Sequence, residues 1–382
     1  MSDILTLNAG SSSIKFGLYR SGEEPQLRQL GQIENIGPLA RMVLRGEDGK
    51  TTTEIGPADH GRAVRAILDV VAPMLEGRAV AGVGHRIVHG GKTFGAPTEL
   101  TPQVMDQLDA LVPLAPLHQP HNLAAVRAAQ DAFPQAVQIG CFDTAFHKGH
   151  PFVNDAFALP RRFYDEGVRR YGFHGLSYDY ISGRLVTDHP DLANGRVVIA
   201  HLGNGASMCA VKGGRSIGST MGFSALDGLP MGTRCGQLDP GVMLYLLDQG
   251  YSPVQLGDML YKESGLKGLS GISHDMRTLL ASDAPEAAQA IDYYVFRIRR
   301  ELGAMAAVLG GLDALVFTGG IGENAAPIRA RVADELGFLG LQIDSAANSA
   351  GDRVISSGRT PVLVIPTDEE RVIARAVSAA LR

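Results

Sequence analysis

Two stretches far apart in the chain share one pattern: an apolar run, a turn built only of small residues, then a second apolar run. The first turn is Asn8-Ala9-Gly10-Ser11-Ser12-Ser13, between Ile4–Leu7 and Ile14–Tyr19. The second is Gly203-Asn204-Gly205-Ala206-Ser207, between Val197–Leu202 and Met208–Lys212. In both, a glycine stands three positions and a serine five positions after a leucine, Leu7 or Leu202. Apolar runs of this length bounded by turn residues predict strands. A plain hairpin needs only about two turn residues, so a longer run of small polar ones suits a ligand. Gly10 is free to take positive φ, and converging backbone N–H groups and hydroxyls, with Lys15 just beyond, suit a phosphate chain. A loose serine-rich turn is the alternative for one copy alone. Recurrence in the same strand context predicts two domains on one plan, facing each other across a cleft.

The length of 382 residues fits about two domains, and 45% hydrophobic with 20% charged residues is ordinary globular composition. A net charge of −5 gives no reason to expect nucleic acid or an anionic membrane as partner. Cys141, Cys209 and Cys235 lack Cys-x-x-Cys spacing, which argues against a metal cluster or a disulfide framework and for a reducing compartment. No secretory leader pattern opens the chain and no apolar run is long enough to span a membrane, so a cytoplasmic protein is expected. The 47 glycines cluster after apolar runs, where close backbone approach to a ligand or tight strand-to-helix turns need them.

Along the chain, Arg20–Thr53 reads as mixed and turn-rich, and Asp59–Val71 as a helix. Val80–Val88 reads as a buried strand; Thr101 and Pro102 open a helix as N-cap and first residue. Asn122–Ala132 is a further helix and Ala136–Phe142 a strand ending at Asp143. The domain boundary falls in the proline-containing stretch ending at Pro160, with domains taken as 1–150 plus 367–382 and 151–366. In the second, Ser177–Val186 is a helix and Gly218–Pro240 a long loop carrying Arg234. Pro285–Leu309 is the longest helix, its stripe of Ile291, Val295, Ile298, Leu302, Met305 and Leu309 reading as core or dimer interface. Ala314–Phe317 is a strand followed by the loop Thr318–Asn324, then a helix from about Pro327 to Leu336. Val362–Ile365 is the last strand, and Thr367 with Glu370 forms a capping box for a C-terminal helix.

Three glycine-rich turns thus follow strands. Gly320-Ile321-Gly322 lacks the third glycine of a dinucleotide fingerprint, and Gly91-Lys92-Thr93 lacks the upstream glycine of a P-loop, Arg86 standing there. A mononucleotide between two domains suits them better. The stretches LNAGSSSIKF, GHRIVHGG, PLAPLH, FDTAFH, YGFHGLSY, HLGNGAS, MGFSALDGL, MGTRCG, DPG, FTGGIGEN and IPTDEE occur in this order from residue 5 to residue 370. In this the chain resembles the acetate kinases of the acetokinase family, within the actin, Hsp70 and sugar-kinase superfamily.

The resemblance implies an α/β fold of two duplicated ribonuclease-H-like domains, the actin-like ATPase fold, with an interdomain active-site cleft. It implies reversible phosphoryl transfer from ATP to acetate, giving acetyl phosphate and ADP, with Mg2+ or Mn2+, in a homodimer joined through the second domain. Carried over by position, Asn8 and Glu369 would hold the metal, partly through water, and Ser12 and Lys15 would meet nucleotide phosphate. His201, Leu202, Gly203, Asn204 and Gly205 would flank the phosphates. Asp275, Met276 and Arg277, with Gly320, Ile321, Gly322, Glu323 and Asn324, would hold the adenosine end. Arg86 and Arg234 would bind the carboxylate and the phosphoryl group in flight, Asp143 is the family's catalytic acidic residue, and His174 stabilises the transition state. Val88, Leu117 and Phe173 would line the pocket for the acyl methyl.

Taken singly, Arg86 reads as well as an ion-pair residue, Asp143 as a turn cap and His174 as a packed core histidine; the ordered set favours function. His85, His89, His118, His121 and His147 lack metal-ligand spacing and read as supporting residues. A short carboxylic acid has a pKa of about 4 to 5, so acetate is already ionised at neutral pH and needs no base. Asp143 is therefore expected to orient an arginine or a metal-bound water. The chain reads Phe223-Ser224-Ala225-Leu226-Asp227-Gly228-Leu229 where acetate kinases commonly have Phe-Thr-Pro-Leu-Glu-Gly-Leu. Ala225 in place of the proline predicts a roomier acyl pocket and better use of propionate; one methylene is worth about 1–3 kcal/mol of discrimination. Gln119 likewise replaces a common asparagine. The alternatives are a propionate or mixed short-chain acyl kinase, a catalytically silent ATP-binding sensor of the same fold, and a simple ATPase.

Overall fold

The computed structural model describes residues 2–10, 12–46 and 49–382 and divides into two compact units, Met1–Phe146 with Asp368–Arg382, and His147–Thr367. Ser11, part of the first small-residue turn, lies outside the described residues.

Unit 1 is an eight-stranded sheet with helices against it. Its strands are β1 (Asp3–Ala9), β2 (Ile14–Arg20), β3 (Gln26–Glu34), β4 (Gly37–Gly46), β5 (Gly49–Ala58), β6 (Val80–Ile87), β7 (Thr98–Glu99) and β8 (Val137–Phe142), in the order β5-β4-β3-β2-β1-β6-β8-β7. β1, β6 and β8 are parallel; β2 to β5 pair antiparallel outward from β1. Helix α1 (His60–Met74) starts as expected at Asp59, whose side chain accepts from the Arg62 amide. Its buried face, Ala63, Val64, Ile67 and Val71, joins Leu5, Leu7, Ile14, Phe16 and Leu18 in one core. Helices α2 (Pro102–Asp109) and α3 (Gln119–Ala132) close a second core around Ile87, Phe94, Leu108, Leu123 and Phe142.

Unit 2 holds β9 (Arg196–Leu202), β10 (Ala206–Lys212), β11 (Arg215–Ser219), β12 (Ala314–Thr318) and β13 (Val362–Val364), in the order β11-β10-β9-β12-β13. The order β3-β2-β1-β6-β8 in unit 1 is the same plan, with the same antiparallel pairs on one side and parallel pairs on the other. The two units thus share one plan, as the two echoing turns predict, and the arrangement is the duplicated ribonuclease-H-like α/β fold that the resemblance implies, one turn joining β1 to β2 and the other β9 to β10. Helices α4 (Gly175–Asp188), α5 (Pro240–Asp248), α6 (Pro285–Leu309) and α7 (Gly319–Asn324) belong to this unit. The apolar stripe of α6 is buried along its whole length, which assigns it to the core.

Three local expectations fail. Arg20–Thr53 is not turn-rich but contributes β3, β4 and part of β5; the solvent-facing parts of these strands carry too few apolar residues to show alternation. The glycines after β12 form the short helix α7 instead of an open loop. The C-terminal helix (Glu369–Ala380) is capped by Asp368, which accepts from the Arg371 amide at 3.0 Å; the Thr367 amide is engaged by Glu323 at 3.1 Å.

That C-terminal helix packs on β6 where Gly82 and Gly84 leave no side chain: a Cβ at Gly84 would overlap Ile373 and Val377. Gly84→Val is expected to lower stability by about 1–3 kcal/mol, read from urea unfolding, because overpacking lifts the helix from the strand.

Candidate functional site

The parallel strands β1, β6 and β8 end side by side, where open α/β sheets place ligands. Asn8 is the next-to-last residue of β1, Arg86 that of β6, and Asp143 follows β8 directly. Arg86 grips Asp143 as a fork: Nε donates to Oδ1 at 3.0 Å and Nη2 to Oδ2 at 2.6 Å. Its Nη1 donates to Asn8 Oδ1 at 3.1 Å, and Nε lies 3.7 Å from Glu369 Oε2. The amide nitrogen of Asn8 turns the other way, donating to Glu369 Oε2 at 3.2 Å and Glu370 Oε1 at 3.4 Å. Burial pushes the Asp143 carboxyl up while the Arg86 guanidinium pulls it down; with a two-point contact to a permanently charged group, the pair stays ionised at neutral pH. The same pairing raises Arg86 further above its ordinary value against the opposing effect of burial. Burial also raises Glu370, against the pull of Lys15.

The cluster thus sets three carboxylates, Asp143, Glu369 and Glu370, around one guanidinium and one amide, an excess of negative charge among oxygen donors. Among the described residues no three His, Cys, Asp or Glu side chains form a metal site by themselves. Glu369 suits a hard cation of the Mg2+ type, which takes one or two protein oxygens and fills its sphere with phosphate and water, whereas the Asn8 oxygen is engaged by Arg86, so Asn8 would serve the ion only through water. Lys15 pairs with Asn8 across the hairpin and, like Ser12, is exposed. Val88 is buried beside the end of β6, and Leu117 is half-buried just before α3.

Sequence reasoning missed the residues that hold these strand ends. Asn122 accepts from the Val88 amide at 2.9 Å and donates to the Ala9 carbonyl at 2.6 Å, joining the ends of β1 and β6. Gln119 exchanges hydrogen bonds with both backbone groups of His89, which accounts for the longer side chain there. His60 Nε2 meets the Gly10 carbonyl at 2.7 Å, and its ring stacks on His121 at 4.9 Å. A signal existed: Gln119 and Asn122 share the buried stripe of α3 with Val126 and Ala129, and polar residues on an apolar stripe need a reason. His85 and His89 are buried, and burial lowers each to about 4.

In unit 2, His174 precedes α4 in the left-handed region at φ 57°. Its Nδ1 meets Ser207 Oγ at 2.8 Å, and its ring stacks on His201 at 4.3 Å. His201 Nδ1 in turn meets Ser177 Oγ at 2.8 Å. A Cβ at Gly205 would lie 3.3 Å from His174 Nε2 and 3.9 Å from Arg234 Nη1, so the bare backbone of the β9–β10 turn stands against both. Arg234 donates to the Ala225 carbonyl at 3.2 Å; the position that departs from the common proline thus braces the arginine through its backbone. Phe173 is buried beside His174.

The other glycine turns adjoin this group. Gly203 donates to the Gly205 carbonyl at 3.0 Å, and a Cβ on Gly203 would sit 3.8 Å from the Gly320 nitrogen. Leu202 and Met276 are buried in the core, which leaves only their backbones for any ligand. Gly320 is exposed and Ile321 half-buried, whereas Gly322 is buried against Ala200 and Leu202. Glu323 turns its carboxylate back onto the Gly319 and Thr367 amides, at 2.9 and 3.1 Å, and Asn324 caps the Gly320 carbonyl. Asp275 caps the helix Met276–Leu280 and pairs with Arg277, whose hydrogen bonds lower its carboxyl to about 2. Asn204 is exposed at the tip of the β9–β10 turn.

The sequence model of the acetokinase family matches residues 3–375. The acetate kinase of Methylocella silvestris is 55% identical over 99% of this chain and 98% of its own length, and that of Rhizobium meliloti 49% over 98% and 97%. The crystal structure of Porphyromonas gingivalis acetate kinase covers 100% of both chains at 38% identity and a TM-score of 0.89. A propionate kinase from Francisella tularensis covers 98% of this chain and 99% of its own at 36% identity and a TM-score of 0.91.

Asn122→Ala would leave the Val88 amide and the Ala9 carbonyl buried without their side-chain partner. A stability loss of about 1–3 kcal/mol is expected from denaturant unfolding, with a lower kcat for phosphoryl transfer, since two site strands lose their common tie.

Proposed function

This chain belongs to the acetokinase family, and from that premise we infer that it moves a phosphoryl group reversibly between ATP and acetate, giving acetyl phosphate and ADP. The observation that carries this to individual residues is the buried fork of Arg86 on Asp143, beside Asn8 and Glu369 at three adjacent strand ends. Phosphoryl transfer needs little covalent help and much charge neutralisation around three equatorial oxygens. Arg86 and Arg234 supply planar, non-titrating cations that suit both carboxylate and phosphate. Acetate arrives ionised, so Asp143 has no proton to remove; it holds the Arg86 fork in one orientation. His174 donates to the phosphoryl group in flight. Val88, Leu117, Phe173 and Ala225 enclose the acyl methyl.

Asn8 and Glu369 would hold Mg2+, which when bound would neutralise charge on the phosphates. Lys15, Ser12 and the turn from His201 to Gly205 contact phosphate through side chains and backbone amides. Asp275 with Arg277, and Gly320 to Asn324, border the adenosine end, Glu323 acting there through the backbone that it ties. ATP as a substrate puts the enzyme in the cytoplasm. The partner is a second copy of the chain: α5 buries none of its residues, with Leu244 65% and Tyr245 61% exposed, and an apolar helix left bare in this way calls for a cover.

Propionate is the second reading, favoured by Ala225. The deciding measurement is hydroxamate formation from Mg-ATP with acetate, propionate and butyrate side by side. The expected kcat/KM for acetate exceeds that for propionate by about tenfold, the worth of one methylene. Propionate equal or better moves the substrate by one carbon; silence on all three with ATP still bound removes the kinase reading. For the dimer, Leu244→Asp with Tyr245→Asp is expected to shift the protein to half its mass in size-exclusion chromatography with light scattering.

A further inference from the structure

His147 is buried and lies outside the groups that meet substrate in the reading above. Its Nε2 is 2.9 Å from the Phe173 carbonyl, which can only accept, so this nitrogen carries the proton. Burial lowers the ring to about 3, with His150 acting in the same direction, so His147 is neutral and its Nδ1 is a lone pair. Nδ1 faces Ser216 Oγ at 2.8 Å, and the serine hydroxyl therefore donates to it. Ser216 Oγ also lies 2.7 Å from His150 Nε2 and 3.2 Å from Cys209 Sγ. With its one proton given to His147, the serine oxygen accepts from both. His150 then carries its proton on Nε2, which leaves its buried Nδ1 as a bare acceptor with no hydrogen-bond partner. Every proton in the chain His150, Ser216, His147, Phe173 is thereby ordered in one direction.

The end of this chain adjoins His174. The His147 ring also fills the space under Gly172, where φ is 73° and a Cβ would lie 2.5 Å from the ring. The ring meets Tyr178 edge-on at 5.6 Å, and the Tyr178 hydroxyl bonds Ser207 Oγ, the same oxygen that meets His174 Nδ1. A left-handed non-glycine residue such as His174 is strained and persists only where its surroundings over-determine it. We propose that His147 is a positioning residue for His174: its Nε2–H fixes the Phe173 carbonyl, and its ring seats Gly172, so that His174 is held in the left-handed conformation that aims its imidazole past Gly205 toward Arg234. Ser216 and His150 serve by fixing the tautomer of His147. The role rests on the reading that His174 stabilises the transferring phosphoryl group.

The test compares His147→Gln, whose amide nitrogen still reaches the Phe173 carbonyl, with His147→Asn, whose amide is too short to do so. His174→Ala and the double variant His147→Asn/His174→Ala complete a cycle in the hydroxamate assay. His147→Asn is expected to lower kcat by about 10–100-fold with KM for ATP and acetate changed less than about threefold, and His147→Gln to recover kcat to within about threefold of the parent. The double variant is expected to match His174→Ala within about twofold, since both remove one contribution. Equal kcat in the Gln and Asn variants, additive losses in the double variant, or an unchanged kcat in His147→Asn each overturns the proposal. Should His174→Ala itself keep full activity, the transition-state role of His174 fails instead. If His147→Asn does not fold, as judged by circular dichroism, Ser216→Ala serves in its place: it keeps the ring and frees only the tautomer, with a kcat loss of about 3–10-fold expected and none overturning the proposal.

Discussion

Arg86 brings a full charge to the end of a buried strand, and the arrangement of unit 1 follows from what that charge requires. Its side chain is 21% exposed and that of Asp143 only 2%. Removing either partner of such a pair leaves the other buried and uncompensated, at a cost of about 3–5 kcal/mol. The pair is possible because β6 and β8 run parallel and adjacent, so that their carboxyl ends coincide, and the Asp143 amide continues the ladder to the Ile87 carbonyl at 3.0 Å. Parallel order demands crossovers, and α1, α2 and α3 in those crossovers supply the cores that hold the strands and, through Asn122 and Gln119, the ties at their tips. The return of the chain as the C-terminal helix adds Glu369 to the cluster, seated by glycines of β6 that have no side chain to obstruct it. Local geometry, sheet topology and burial here serve one guanidinium.

The two units use one strand plan for different ends. In unit 1 the turn after β1 leads into Lys15, and the neighbouring strand ends carry oxygen donors and Arg86. In unit 2 the corresponding turn is tighter, with Leu202 paired directly to Ala206, and it brings Gly205 against His174 and Arg234. A fold duplicated in topology has thus diverged at the same position, the tip of its first hairpin and the carboxyl ends beside it. Residues there alter the sheet little, because the paired strands are fixed by the apolar residues behind them.

What the sequence revealed depended on which physical signal each element carries. The parallel strands β6, β9 and β12 are mainly apolar, and α6 carries a stripe at helical spacing; both patterns survive in one dimension. The outer strands β4 and β5, of which β5 is the edge, escaped because their solvent-facing residues, Thr51 to Glu54 among them, are polar in the way a loop is polar. The cap at Asp368 was misplaced by one residue because Thr367 has a competing bond to Glu323, 44 positions earlier, that no local window contains. The motif residues around Arg86, Asp143 and His174 were legible as a set. Their supports Asn122, Ser207 and Tyr178 were not, since each acts by closing a contact between distant segments.

Each unit carries buried histidines that stay neutral. Bringing a carboxylate to a phosphate chain is a meeting of anions, and the remedy is fixed positive charge that does not titrate near neutrality. In the proposed reading Arg86 and Arg234 meet that need. A histidine in a buried place stays neutral because desolvation penalises its charged form, and so it keeps an acceptor nitrogen. Burial secures this for His85 and His89, held at about 4, and for His147, held at about 3. Each is then a rigid plane with one donor and one acceptor, able to bond a carbonyl on one side and a side-chain oxygen on the other, as His147 does with Phe173 and Ser216. Neither lysine nor asparagine spans that distance with both polarities in a flat ring. In such places imidazole serves as a spacer of fixed polarity, and these buried rings do not titrate near neutrality.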